Sequence, residues 1–370
     1  MSMTISGSSG LIFPDGSGQE TGIGRNRIIN GDMRIDQRNA GASVTATTSN
    51  LYTVDRWRAY ASQSSKYTVQ QNAGSVTPPV GFTNYLGVTS SSAYTVGAGE
   101  FFLINQNIEG FNVADLGWGT ANAKTVTLSF WVRSSLTGTF GGAFNNDASN
   151  RSYPFTYTIS SANTWEQKTV TITGDTSGTW LTTNGIGVQL QFGLGVGSTY
   201  SGTAGAWAGS AYYSATGATS VVGTNGATFY ITGVQLEVGS TATPFERRLY
   251  GQELALCQRY YEKCGWDQGS VPGSTSGYTP SITANYMGST TTSFSGMNWM
   301  VIKRAAPTLT FYGSIGGATE TVNVAVDFQT GNSLGTVTAT RIGDCGFGYL
   351  ATVSGSSYGC IYRVVASAEL

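Results

Sequence analysis

Twenty acidic residues, four cysteines and no histidine define the chemistry open to this chain of 370 residues. Without histidine there is no Ser-His-Asp or Cys-His relay, no imidazole metal ligand and no neutral-pH proton shuttle. Two carboxylates at a suitable separation could still hydrolyse a glycosidic bond. The acids here are scattered singly, and many stand beside a base: Asp32 near Arg34, Asp36 near Arg38, Asp55 before Arg56. That pattern predicts solvated or salt-bridged charge rather than a catalytic pair, and no catalytic residue is assigned. A structural calcium joining the first and last strands of a domain would draw on Asp32 and Glu237 as oxygen donors; no other metal or cofactor is indicated. No phosphate-cradling GxxxxGK[ST] occurs, and the glycine clusters sit in polar loops with no helix after them.

Flat rings beside amides or arginine are the recipe for holding a sugar: an apolar platform with a few placed polar groups. Trp131, Arg133, Gln189 and Gln191 fall on the outward faces of predicted strands, and Trp207 and Tyr212 on an uncharged loop. The competing reading is that the loop simply covers Trp131. A charged fraction of only 11% suits neutral sugars better than acidic ones.

The elements that must position these residues are mostly strands. Fifty-one glycines, with many Ser and Thr, point to short strands and many turns. In residues 125–133 Val126, Leu128, Phe130 and Val132 share one face, and Trp131 and Arg133 the other. Residues 187–194 repeat the pattern, with Val188, Leu190, Phe192 and Leu194 inward and Gln189 and Gln191 outward. The 229–238 strand changes phase at Gly233, which predicts a bulge there. Residues 176–236 contain no charge, and 195–227 are nearly all Gly, Ser, Ala and Thr with Tyr200, Trp207, Tyr212 and Tyr213 among them. Four aromatics predict an ordered loop, packed on its own domain or on a neighbouring subunit.

Residues 248–264 carry a helical stripe of Tyr250, Leu254, Cys257, Tyr261 and Cys264, widened by Leu249, Leu256 and Tyr260. The stripe packs either on the chain's own sandwich or, through Leu249, Tyr250, Leu254, Cys257 and Tyr261, around an oligomer axis. Cys257 and Cys264 would lie roughly 10 Å apart on that helix, too far for a disulfide. Cys345 and Cys360 flank a predicted hairpin over 348–365, turning at Gly355–Ser356, whose register sets Cys360 against Ala351. Reduced thiols are expected, as in a reducing cytosol.

The resulting division is an N-terminal arm over 1–24, an all-β jelly-roll sandwich over 25–246, a connecting helix over 247–264, and a smaller β-sandwich over 265–370. The arm has one apolar knot, Leu11, Ile12, Phe13 and Pro14, and is either loose or an extended docking segment. With a net charge of −1 and no basic stripe, nucleic acid is not an expected partner. No stretch approaches the ~20 apolar residues of a membrane helix, and MSMTISGSSG lacks the features of a signal peptide.

Two blocks resemble a known group. NRIINGDMRIDQRNAG (26–41), followed by YTVDRW (52–57), and the stretch from Phe229 to Lys263 look like segments of bacteriophage tail-fibre and virion structural proteins. GLIFPDGSGQETG (10–22) looks like a short element of phage fibres. The middle domain of that group is similar to jelly-roll carbohydrate-binding modules, which begin with an Asn-Gly-Asp strand and close on Leu-Glu, here Leu236-Glu237. This chain lacks the paired aspartates often found in their closing strand. The resemblance implies a homotrimeric virion component, assembled in the host cytoplasm and attached to other virion proteins through the arm. The expected role is non-enzymatic attachment to host surface glycan. The alternatives are a structural head, neck or collar decoration and, further off, a glycan depolymerase.

Overall fold

The computed structural model describes residues 24–264, 298–312, 342–347 and 364–370 in full, and the backbone of further strands outside these spans. The middle of the chain is a β-sandwich of two antiparallel six-stranded sheets. The first sheet runs, edge to edge, through Glu166–Ile172, Val126–Ser134, Thr228–Val238, Leu86–Ser90, Tyr67–Gln71 and Val44–Thr45. The second runs through Ser152–Ile159, Gly138–Asn145, Ile186–Val196, Phe101–Glu109, Arg58–Ala61 and Leu51–Tyr52.

The alternation read from the sequence is what glues the sheets. Val126, Leu128, Phe130 and Val132 of the first sheet and Val188, Leu190, Phe192 and Leu194 of the second are all buried in one core. Phe130 and Phe192 meet across it with ring centroids 5.1 Å apart. Burying each such ring contributes roughly 1.5–3 kcal/mol. The bulge expected at Gly233 is present. Ser129 pairs with Gln235 but Trp131 pairs with Thr232, so the closing strand holds an extra residue there. Gly233 has φ +61°, and a Cβ on it would stand 2.6 Å from the Phe82 ring.

The connecting helix is shorter than the periodicity suggests. It spans Tyr250–Gln258, and Tyr261–Cys264 is a strand. Residues 261–264 pair with 364–367 of the last strand, and the amide of Ala368 donates to the carbonyl of Tyr260 (2.7 Å). Tyr, Glu, Lys and Cys fit a strand as well as a helix turn, and the available partner strand decides. The helical stripe is covered by the chain itself except at Leu249 and Tyr250: Cys257 and Tyr260 pack with Ile29 and Ile35, flanked by Leu254, Leu256 and Leu370.

The smaller C-terminal β module is organised around Gly359–Ser367. Its 364–367 end pairs with Tyr261–Cys264 and Thr308–Gly313, and its other end with Ile282–Asn285 and Val324–Asp327. The hairpin expected over 348–365 does not form. Gly346–Val353 pairs instead with Ser293–Asn298 and Ser333–Ile342. The turn that makes a hairpin is Gly343-Asp344-Cys345, where the Gly343 amide donates to the Gly346 carbonyl (2.8 Å) and sets Ile342 against Phe347. Gly343 and Gly346 bracket Asp344-Cys345 and close the chain tightly, and Gly355–Ser356 lie outside the described residues. In the N-terminal segment, Thr4–Ser6, Gly10–Ile12 and Gly18–Gln19 form a three-stranded antiparallel sheet, so the expected extended arm is folded back on itself. Leu11 and Ile12 lie on its central strand; Phe13 and Pro14 fall outside the described residues.

Candidate functional site

Cross-strand register builds a polar floor on the outer face of the second sheet. Asn105 pairs with Arg58 on one side and Gln191 on the other, so these three lie in one row across three strands. The adjoining row sets Asn107 beside Gln189 and Gln189 beside Asn145. Period-two alternation puts all six on the face opposite the core. Arg58 Nε donates to Asn105 Oδ1 (2.9 Å), Asn105 Nδ2 to Asn107 Oδ1 (3.2 Å) and Gln191 Nε2 to Asn145 Oδ1 (3.0 Å). Asn145 Nδ2 in turn donates to the Tyr212 carbonyl (3.0 Å), and Gln189 Nε2 to that of Asn146 (3.0 Å). Gln191 Oε1 is buried and accepts no hydrogen bond.

Beside this floor stands a half-buried aromatic wall. Tyr60 and Phe101 lie 4.7 Å apart between centroids, and Phe101 meets Tyr200 and Tyr213 edge-on at 5.4 and 5.2 Å. Tyr200 and Tyr213 stack at 4.9 Å with ring planes 10° apart. The Arg58 guanidinium lies over the Tyr60 ring, 4.6 Å from its centroid. Burial lowers the pKa of Arg58 and raises that of Tyr213, the latter also through neighbouring Tyr60 and Tyr200. All six floor residues are buried, while the flat rings at the edge stay partly exposed, as the ring faces of a saccharide platform would be.

The residues picked out from sequence are split by the fold. Trp131 and Arg133 lie on the first sheet, on the opposite side of the sandwich from Gln189 and Gln191, so the four cannot share one ligand. Arg133 Nε donates to the Asn163 carbonyl (2.9 Å). Trp207 packs edge-on against Trp118, Trp180 and Tyr153, and its Nε1 donates to the Thr173 carbonyl (2.7 Å). It closes the sandwich's own core rather than reaching out or covering a ligand platform. Tyr212 stays at the floor, as the acceptor for Asn145. The uncharged loop is ordered and packed on its own domain: Ser214 sits over Gly141 and Gly193, where any Cβ would come within 2.8 Å of its hydroxyl.

Arg58, Tyr60, Asn105 and Asn107 escape the sequence reading, and Tyr213 enters it only as one of the loop aromatics. Their signal, polar residues alternating with buried apolar ones over 58–61 and 101–109, is what any half-exposed strand shows. Only pairing with 186–196 makes those rows contiguous with Gln189 and Gln191.

The two sequence blocks converge elsewhere, at the joint between sandwich and C-terminal module. Asn30, with φ +56°, is the hub. Its amide donates to Glu253 Oε1 (2.5 Å), its Nδ2 to the carbonyls of Ile35 and Asp55, and its own carbonyl accepts from Trp57 Nε1 (3.0 Å). Asn30-Gly31-Asp32 is thus a turn and not the expected strand. Glu369 pairs with both Arg56 and Arg38, and those guanidiniums lie 3.6 Å over Tyr260 and Tyr261. Glu109 accepts from Arg259 and from the Tyr260 hydroxyl (2.6 Å). Asp55 is 1% exposed, and burial pushes its pKa up to about 7 although Arg38 and a Gln37 hydrogen bond oppose this.

Of the residues considered for an oligomer seam, Cys257 and Tyr261 are buried in this joint and Leu254 packs beside them; Leu249 and Tyr250 are exposed. Next to Tyr250, Arg34, Asp36, Gln37 and Gln71 line a surface pocket of about 250 Å³. Asp36 is committed there to the amides of Asn39 and Gly41. The two residues weighed as calcium donors are engaged separately: Asp32 with Arg34 (3.0 Å), and Glu237 with Arg25, Gln235 and Thr243. Among the described residues, no three His, Cys, Asp or Glu side chains come together as metal ligands would. Cys257, Cys264 and Cys345 are free thiols, and burial pushes Cys264 up to about 12.

No protein-family model and no curated protein matches the chain. Among solved structures, it is similar to a putative sugar binding protein from Bacteroides thetaiotaomicron VPI-5482, at 12% identity and TM-score 0.32 over 58% of this chain and 100% of that one. It is also similar to a CBM4 structure, at 17% identity and TM-score 0.29 over 57% and 98% of the two chains. A third likeness is to the enzymatically active domain of tailspike protein 4 of bacteriophage CBA120, at 12% identity and TM-score 0.29 over 58% of this chain. The match spans only 21% of that tailspike chain. At such scores these likenesses assign no ligand, activity or partner.

Proposed function

We propose that this chain is a non-enzymatic subunit of a phage fibre or spike that attaches to host surface glycan through the outer face of its second sheet. The observation that carries the binding reading is the row Arg58–Asn105–Gln191 beside the Tyr60, Phe101, Tyr200 and Tyr213 wall. The floor holds the Arg58 guanidinium in place beside the wall, and the wall offers ring faces that remain partly open to solvent. A chain without histidine has few ways to run acid–base chemistry at neutral pH, which supports binding over cleavage. The virion assignment rests on the resemblance of blocks 26–41, 52–57 and 229–263. A homotrimer would supply avidity from weak single sites, with exposed Leu249 and Tyr250 available to a neighbouring copy.

A glycan array probed with the 370-residue protein tests the binding reading. Retention of one saccharide class by the native protein, lost in Tyr213→Ala with the melting temperature kept, is the expected result. A second reading, a purely structural virion part, is favoured by one fact: most floor amides are hydrogen-bonded within the chain. It predicts no retention of any saccharide, and co-purification with virion proteins instead.

A further inference from the structure

The low charge of the chain suggests a neutral sugar, but the floor itself holds an arginine without a counterion. Arg58 is 7% exposed, and among the described residues no carboxylate lies within ion-pairing distance of it. Its Nε is taken by Asn105 and its face by Tyr60, while its two Nη groups have no acceptor among the described residues. The nearby carboxylate, Glu369, is already shared between Arg38 and Arg56. Asn107 Nδ2 and the Tyr52 hydroxyl are spent on the Leu370 carbonyl (2.9 and 2.7 Å). Two strands away in the same row, Gln191 is 1% exposed and its Oε1 lacks a donor.

Taking a guanidinium out of water without an opposite charge is costly, and a fold normally offsets it with an ion pair. A carboxylate arriving with a ligand meets that need. The planar guanidinium presents its Nη donors as a fork that matches two carboxylate oxygens, and the low local dielectric strengthens the bond. We infer that the ligand of this face is an acidic glycan, one whose sugar carries a carboxylate, held by the Arg58 guanidinium. The inference rests on the glycan-binding reading above and narrows it to a substrate class.

Matched saccharide pairs test it on the unmodified protein, with no dependence on a variant folding. Isothermal titration with sialyllactose against its methyl ester, and with trigalacturonate against its methyl ester, changes only the charge of the carboxylate within each pair. At least a tenfold preference for the acidic member of one pair is expected. Arg58→Gln should abolish that preference and Arg58→Lys restore only part of it, because the ammonium keeps charge but not the fork. Equal binding of acidic and neutral members overturns the inference and leaves the glycan reading standing. Binding of none of the four, together with an empty glycan array, overturns both.

Discussion

The almost fully buried guanidinium of Arg56 forms an ion pair with Glu369, 313 residues further along the chain. Arg38 holds the other carboxylate oxygen at 2.5 Å. The pair ties the second sheet of the sandwich to the end of the chain. Glu369→Gln leaves two arginines facing each other with no charge between them. Removing one partner of a buried pair costs about 3–5 kcal/mol. Urea denaturation should show a loss of that order, and an unchanged midpoint would refute the clamp.

Asp55 lies in the same joint, faced by Gln37, Arg38, Asp36, Glu369 and Cys257. Its pKa is raised from 3.8 to about 7 by burial, so the folded state favours the protonated carboxyl. A raised folded pKa contributes stability that is full below the unfolded value and is lost as pH rises through about 7. Melting temperature should therefore fall between about pH 4 and about pH 7 and level off above, and Asp55→Asn should flatten that slope. A slope unaltered by the substitution would assign it to other groups.

Gly31 is required by contact rather than by conformation. A Cβ there would stand 2.2 Å from the Val234 carbonyl oxygen, whose own amide donates to Gly31 (2.9 Å). Since backbone must move to make room, Gly31→Ala should destabilise by about 1–3 kcal/mol or more. Thermal unfolding at fixed pH checks this, and a native-like melting curve would show that the closing strand yields freely.

Leu254→Glu distinguishes the two covers that the helical stripe allows. Since Leu254 packs against Cys257 and Tyr260 of its own chain, the variant should lose stability by an amount independent of protein concentration. A melting temperature that instead rises with concentration in the native protein, and not in the variant, would place the stripe at a subunit contact.

Trp131→Ala and Tyr213→Ala should differ. Trp131 lies on the first sheet, away from the floor, so its loss should leave glycan retention unchanged. Tyr213→Ala, which removes one half of the stacked pair with Tyr200, should lower retention severalfold. Titration of both variants with the saccharide that the array selects decides the point; the reverse order would move the site to the first sheet.

Much of the fold was legible because strand alternation is local. Val126 to Val132 and Val188 to Leu194 announce their buried faces through period two alone, and the phase slip at Gly233 announces its bulge. The absence of histidine likewise bounds the chemistry whatever the fold. Other features depended on partners distant in sequence. Residues 261–264 could continue a helix or make a strand, and the last strand captured them. Outward positions carry no label for which sheet they join, so Trp131 and Gln191 looked like neighbours although the sandwich separates them. The floor arose only when register set Arg58, Asn105 and Gln191 side by side across three strands. Alternation is a property of one strand, readable from a few residues, whereas adjacency across strands is chosen by the packing of the whole domain, and the candidate site is made of adjacency.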